Sequence, residues 1–240
     1  MNGDEHRAQT LRALRQHCRG TASLIRSDAR PHLSTGIPAL DALLPGQGLE
    51  PGSLVEWLAP VEGSGAACLA LQGVRPALER HAVWAVVDPQ GEFHSPAVQG
   101  WNISPESLLL LRPASVADIA WTVEQCLRCS AVGVTWIEAG TLPDRVLQRW
   151  KIAAETGGGM GVVFRPARTQ RRTSWADVRW LVLPRAEASA TGRRVRVELL
   201  TCRGAFAGGS VDLDVNDATG DVRLVSAVAS TTTAVRSAGA

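Results

Sequence analysis

Lysine and tyrosine are nearly missing from this 240-residue sequence, which has no tyrosine and only Lys151 beside 24 arginines. Long apolar runs are also missing, so the sequence contains no stretch of about 18 residues that would form a transmembrane helix. An excess of positive or negative charge is missing as well, because 25 basic and 23 acidic residues give a formal net charge of only +2. A charge this small does not by itself indicate a nucleic-acid-binding protein.

Cysteine usage and the first residues point to a reducing compartment. The sequence has five cysteines, an odd number, and begins with the polar string MNGDEHRAQT rather than a signal peptide. We therefore expect a cytoplasmic protein. Cys126 and Cys129 form a single C-L-R-C without a second pair, which favours packing cysteines over a zinc or redox site. No histidine falls into a recognisable triad, and we predict no metal and no cofactor.

Short apolar runs alternate with amphipathic stretches from residue 33 onward, and hydrophobic residues make up 45% of the sequence. This alternation predicts an α/β fold with a mostly parallel central sheet flanked by helices. Apolar runs at residues 211–215 and 222–225 flank a turn at 217–220 and predict a C-terminal antiparallel hairpin. The predicted strands are 53–58, 81–87, 108–111, 132–137, 161–164, 180–183 and 194–202, and the predicted helices are 66–78, 116–129 and 144–156.

Three segments are expected along the chain. Residues 1–32 form a helix, at 4–18, and a linker; residues 33–225 form the core domain; residues 226–240 are a small, polar, disordered tail. The N-terminal helix has a narrow apolar stripe and an arginine-rich opposite face. Two interpretations stay open for it, a partner-docking helix and a solvated cap or arm.

A predicted strand at 53–58, a glycine-containing turn at 59–65 and a helix from Ala66 reproduce the setting of a phosphate-binding loop, G-x-x-x-x-G-K-[ST]. In a working loop the lysine reaches the β- and γ-phosphates, and the hydroxyl binds magnesium. Here those two positions are Ala66 and Ala67. The site positions we assign to this degenerate loop are Glu62, Gly63, Ser64, Gly65, Ala66 and Ala67.

The strings around this loop resemble the RecA recombinase family. Ser34-Thr35-Gly36, the Leu40-Asp41 pair, the turn at 46–48 and Gly52 follow the family's order before the loop. The strands at 81–87, 108–111 and 132–137 resemble the later core strands. The resemblance covers residues 33–225 and implies a RecA-like core.

Within that family the sequence resembles the ImuA proteins, RecA-like and often SulA-like accessory proteins of damage-inducible mutagenesis. The residues that carry this resemblance are at 35–46, Ile137 after Trp136, and 149–166. It implies a place in a translesion-synthesis complex. The implied partners are an ImuB-like polymerase homologue and an error-prone replicative-type polymerase, with RecA as a further candidate.

Alignment with the family predicts four departures from an ATPase. The loop lysine becomes Ala66, the magnesium-binding threonine Ala67, the catalytic glutamate Gln90, and the Walker B aspartate Trp136. Glutamine does not accept a proton as a carboxylate does, and magnesium needs oxygen ligands. We therefore predict a pseudo-ATPase rather than an enzyme, with residual nucleotide binding left open.

Arginines cluster after the strand at 161–164, where RecA relatives carry their second DNA-binding loop. The predicted DNA or partner surface consists of Arg165, Arg168, Arg171, Arg172, Trp175 and Arg203. Phosphate contact, a protein interface and a solvated basic loop are the alternatives. Relatives place basic residues near Arg203 at a subunit interface.

Two other functions compete with a scaffold in a mutagenesis complex. One is a SulA-like cell-division inhibitor that binds a tubulin-like protein. The other is a weak RecA-class ATPase. The length of the RecA-like core favours the scaffold over the inhibitor.

Overall fold

The computed structural model describes residues 32–78, 83–101, 103–186, 192–204, 208–216 and 219–228. The helix predicted at 4–18 lies outside these residues, as do positions 229–240 of the predicted tail. The last strand extends to Val228, three residues past the predicted end of the core. No helix in the described ranges is long and apolar enough to span a membrane.

Helices and strands alternate through the first two thirds of the described chain, and strands alone follow. The helices are α1 (Pro38–Asp41), α2 (Ala66–Leu78), α3 (Val116–Arg128) and α4 (Asp144–Gly157). The strands are β1 (Leu54–Ala59), β2 (Val83–Val87), β3 (Leu108–Leu111), β4 (Val132–Glu138), β5 (Met160–Pro166), β6 (Val178–Arg185), β7 (Gly192–Cys202), β8 (Ser210–Asn216) and β9 (Val222–Val228).

The nine strands form one sheet in the order β3-β2-β4-β5-β1-β6-β7-β8-β9. Strands from β3 to β6 in this order are parallel, so their carboxyl ends meet at one edge. Strands β6 to β9 are antiparallel. The mostly parallel sheet and the β8–β9 hairpin confirm the predicted fold class, and the antiparallel part is larger than the predicted hairpin.

Apolar packing covers both faces of the sheet. Helix α2 packs on one face, where Leu69 and Val74 join a large cluster with Trp84, Trp180 and the inward residues of β7 and β8. Helices α3 and α4 pack on the other face, around Leu147 and Trp150. The central parallel strands are mostly apolar and buried on both sides, as expected for strands between helix layers.

Local chemistry fixes the helix ends. Ser115 caps α3, because its hydroxyl accepts a hydrogen bond from the backbone N–H of Asp118. Helix α4 is followed by its C-cap Gly158, which adopts the left-handed conformation at φ 81°.

Strand β7 has one apolar face and one charged face. Val195, Val197 and Leu199 are buried, while Arg194 and Arg196 on the opposite face pair with Asp214 and Asp212 of β8.

The string Ser34-Thr35-Gly36 near Asp41 has a structural role. Asp41 accepts hydrogen bonds from the Ser34 hydroxyl at 2.6 Å and from the Thr35 backbone N–H at 2.8 Å. At Gly36, φ is +77°, and an added Cβ would lie 2.3 Å from the Gln72 carbonyl oxygen of α2. Only glycine fits there, so the turn at residues 34–36 packs directly against α2.

Candidate functional site

The predicted strand, loop and helix are present at the carboxyl edge of the parallel sheet. Strand β1 ends at Ala59 and α2 begins at Ala66, with Gly63 and Gly65 at positive φ values of 72° and 94°. Ligands of open α/β sheets bind outside this edge. The predicted strand, loop and helix arrangement is therefore present, and the two residues after Gly65 offer only methyl groups.

Strand β7 closes against one side of this loop. The Arg193 guanidinium donates a hydrogen bond to the Gly63 carbonyl oxygen. An added Cβ on Gly65 would lie 3.3 Å from Cδ of Arg193 and 3.4 Å from the Val195 side chain. The antiparallel extension thus supports the loop through protein contacts.

The turn after β2 forms the next part of the edge. Gln90 is exposed there, in the place predicted for the catalytic glutamate. Asp88 is buried, and its carboxylate accepts hydrogen bonds from the backbone N–H groups of Glu92 at 2.9 Å and Phe93 at 3.3 Å. It also contacts Arg112 Nε at 3.4 Å. Asp88 therefore holds the turn together.

Strand β4 carries Trp136, which the family resemblance assigned to the Walker B position. Trp136 is 5% exposed and lies inside the core, with ring centroids 5.7 Å from Trp84 and 4.4 Å from Phe164. The residue that ends β4 at the carboxyl edge is Glu138, which is exposed. Because side chains alternate along a strand, Glu138 and Trp136 point to the same sheet face, the face that carries α2. Strand β4 therefore presents a carboxylate at this edge, and the assignment of Trp136 to the Walker B position stays a prediction.

The electrostatics of this edge are acidic. Partial burial, followed by the negative charges of Glu62, Glu92 and Asp88, raises the pKa of Glu138. Like charges this close disfavour ionisation of one another. The edge thus combines carboxylates with a loop that is followed by two alanines rather than by a cationic residue.

A buried ion network lies on the other face of β1 and was missed in the sequence. Glu56 is fully buried, and its carboxylate accepts hydrogen bonds from Arg165 Nη1 at 2.6 Å, Arg179 Nε at 2.7 Å and the Ser174 hydroxyl at 2.8 Å. The sequence signal was a glutamate inside the apolar run SLVEWL, since a buried carboxylate needs partners. The network joins β1, β5 and β6.

Arg165 was predicted to belong to an exposed DNA or partner surface, and the structure shows otherwise. Its side chain is 1% exposed and is held by Glu56. The remaining predicted residues Arg168, Arg171 and Arg172 are exposed, and Trp175 is 48% exposed. They lie on residues 167–177, which connect β5 to β6 and which we call the crossover.

Arg203 lies away from the crossover arginines. Its guanidinium pairs with Glu155 at 3.0 Å and Asp177 at 3.4 Å, near the amino end of β1. Asp177 also binds Lys151 Nζ at 2.6 Å, which explains the only lysine in the chain as a structural residue. Intrachain partners thus engage Arg203, and its predicted role at a subunit interface stays a prediction.

Comparison with known proteins agrees with this geometry. No protein-family model matches the chain. A crystal structure of the RadB recombinase superposes with a TM-score of 0.59 at 18% identity, covering 78% of this chain and 97% of RadB. Protein RecA of Rhodopirellula baltica is 29% identical over 107 residues, covering 45% of this chain and 28% of RecA. The chain is therefore a RecA-fold protein.

Protein ImuA of Caulobacter vibrioides is similar over a longer stretch. It is 27% identical over 203 residues, which cover 75% of this chain and 82% of ImuA. A second strain of that organism has an ImuA with the same identity and coverage. Within the RecA-fold class, the chain is an ImuA-like protein.

Proposed function

We propose that this ImuA-like chain is a non-catalytic scaffold that joins a translesion-synthesis polymerase complex during DNA-damage-induced mutagenesis. The observation that carries the proposal is the carboxyl edge of the sheet. There a phosphate-type loop has alanines at the lysine and threonine positions, and its own Glu62 adds to the negative charge of Glu92 and Glu138.

Each part of the edge opposes magnesium-ATP hydrolysis. Ala66 and Ala67 supply neither the positive charge for the phosphates nor a hydroxyl for the metal ion. Gln90 orients a water molecule but does not take its proton. Glu138 is a carboxylate that a magnesium ion accepts as a ligand, yet the neighbouring acidic side chains add repulsion toward the triphosphate.

A fold that keeps its core without this chemistry is suited to docking. The resemblance to ImuA supplies the partners: an ImuB-like polymerase homologue and an error-prone replicative-type polymerase, with RecA as a further candidate. The crossover arginines and Trp175 offer the chemistry of a contact surface, because arginine and tryptophan are enriched among the residues that dominate binding energy.

Nucleotide turnover is the direct test of the non-catalytic part. We expect the purified chain with magnesium, ATP and single-stranded DNA to release phosphate no faster than a protein-free control, with an active RecA protein as the positive reference. Turnover that Glu138→Gln or Gln90→Ala abolishes would show that the edge is catalytic and would refute the proposal. Alanine at position 90 removes the amide that orients water, so both variants probe the same site.

The scaffold part needs a separate experiment. A tagged chain is recovered from damage-treated source cells, and the co-purifying proteins are identified by mass spectrometry. We expect polymerase-like subunits. Specific recovery of a tubulin-like division protein in their place would assign the chain to the SulA-like alternative.

A further inference from the structure

Four exposed arginines lie on helix α4 and on the crossover, two segments that meet at Asp144 and Thr173. Arg145 lies in the first turn of α4, and the Thr173 hydroxyl of the crossover donates a hydrogen bond to Asp144 Oδ2 at 3.0 Å beside it. The crossover contributes the other three, Arg168, Arg171 and Arg172. Among the described residues, none of these four arginines forms an ion pair with a carboxylate. Together with Trp175 they form what we call the arginine surface.

The backbone beneath the arginine surface is fixed from inside. Arg179 donates to the carbonyl oxygens of Gln170 at 3.2 Å, Arg172 at 3.3 Å and Thr169 at 3.3 Å. The same guanidinium is anchored on the buried Glu56 carboxylate. Since these carbonyls point inward to one buried head group, the surface arginines are presented on a pre-formed backbone, which lowers the ordering cost of binding.

We propose that the arginine surface binds an acidic, amphipathic segment of a partner protein, and that the Glu56–Arg179 pair is the positioning device that holds it ready. The proposal rests on the scaffold function above and names the chemistry of one partner contact. Guanidinium groups that have no ion-pair partner among the described residues are suited to bind carboxylates, with which arginine forms two parallel hydrogen bonds.

The surroundings favour a protein segment over a single strand of nucleic acid. Single-stranded nucleic acids bind in basic grooves lined by several stacking aromatics. The crossover exposes one aromatic ring, Trp175, 48% exposed. An exposed tryptophan on the same short connection as several arginines is typical of protein interfaces.

The test compares two fluorescent probes of equal net charge by anisotropy, in the absence of nucleotide. One is a short peptide of alternating acidic residues and leucine, and the other is an oligothymidylate. The variant Arg171→Glu/Arg172→Glu reverses two surface charges. The matched control Arg75→Glu/Arg223→Glu makes the same charge change at exposed arginines on α2 and β9. Circular dichroism verifies that both variants fold.

We expect the peptide to bind the parent chain more tightly than the oligothymidylate does. The surface variant should weaken peptide binding about tenfold, as expected for the loss of two partly exposed ion pairs. The control variant should bind like the parent chain.

Three results would overturn the proposal: no peptide binding, equal losses in both variants, or tighter oligothymidylate binding that depends on Arg171 and Arg172. The last result would assign the surface to nucleic acid. The binding assay contains no nucleotide, so a failure of peptide binding would not refute the non-catalytic function. ATP turnover in the separate assay would refute the non-catalytic function and would not by itself refute peptide binding.

Discussion

Replacing Glu56 by glutamine tests the buried network with the smallest change in shape. Glu56 is 0% exposed, and the side chains of Arg165 and Arg179 are 1% and 7% exposed. The native network contains one negative and two positive groups. The substitution leaves two buried guanidinium groups without a counter-charge.

The expected loss of stability follows from the cost of an uncompensated buried charge. Removing one partner of a buried ion pair costs about 3–5 kcal/mol. Glutamine keeps one carbonyl oxygen that accepts a hydrogen bond, and Arg179 keeps three backbone carbonyl partners. We therefore expect the lower end of that range, about 3 kcal/mol. For a domain of typical stability, about 5–15 kcal/mol, the variant still folds.

Urea unfolding followed by tryptophan fluorescence measures the free energy of unfolding. The matched control is Glu155→Gln, because Glu155 also faces two cations, Lys151 and Arg203, but at an exposed site. We expect the control to lose less than about 1 kcal/mol. Trypsin should also cut the Glu56→Gln variant faster after Arg171 and Arg172, because the crossover loses its anchor. A loss in Glu56→Gln no larger than in Glu155→Gln, with unchanged cleavage, would refute the reasoning.

Three further predictions concern the acidic edge and the cysteines. Burial and nearby carboxylates raise the pKa of Glu138, so its ionised form destabilises the fold above that raised pKa, and this destabilisation vanishes below the unfolded pKa of about 4.3. Glu138→Gln should therefore raise the melting temperature at pH 7 but not at pH below about 4. An equal rise at both pH values would contradict the prediction. Ala66→Lys/Ala67→Thr should not create ATP turnover in a phosphate-release assay, because Gln90 and the acidic side chains remain; turnover well above that of the parent chain would show that the loop alone limits activity. Burial and then the neighbouring Cys129 raise the pKa of Cys126 to about 11. Iodoacetamide at about pH 8 should therefore label the exposed Cys129 and spare Cys126, as measured by peptide mapping. Equal labelling of the two cysteines would mean that α3 opens.

Periodicity predicted every strand and long helix that the structure describes, because buried parallel strands and their helices are encoded locally. The strand, loop and helix around Gly65 were also predicted correctly. Glu138 was not singled out from the sequence, because an apolar run gives no signal of where the strand meets the sheet edge. Glu138 could have been found as the first charged residue after the run, whereas the assignment of Trp136 to the Walker B position stays a prediction.

The ion network was hidden for a different reason. Glu56 is separated from Arg165 by 109 residues and from Arg179 by 123. Only the sheet order, which places β1 between β5 and β6, brings them together. Arg165 and the exposed Arg168 look alike in sequence, but Arg165 lies on β5 and turns inward to Glu56, whereas Arg168 lies in the 3-10 turn after the strand. A run of arginines in the sequence thus predicts a basic surface but does not show which of the arginines are exposed on it.

The crossover explains why a buried charge network occurs in this chain at all. Two parallel strands are usually joined by a helix that covers the sheet with apolar side chains. Between β5 and β6 the connection is short and contains no α-helix, and three of its backbone carbonyls, those of Thr169, Gln170 and Arg172, accept hydrogen bonds from Arg179. Buried carbonyls need donors. Arg179 supplies them, and its charge in turn requires Glu56. Replacing all three charged residues by apolar ones would therefore not stabilise this fold as it does for isolated buried ion pairs, since the carbonyls of the crossover would lose their donors. The same dependence links the interior to the arginine surface, because whatever holds those carbonyls also determines where Arg171 and Arg172 are presented.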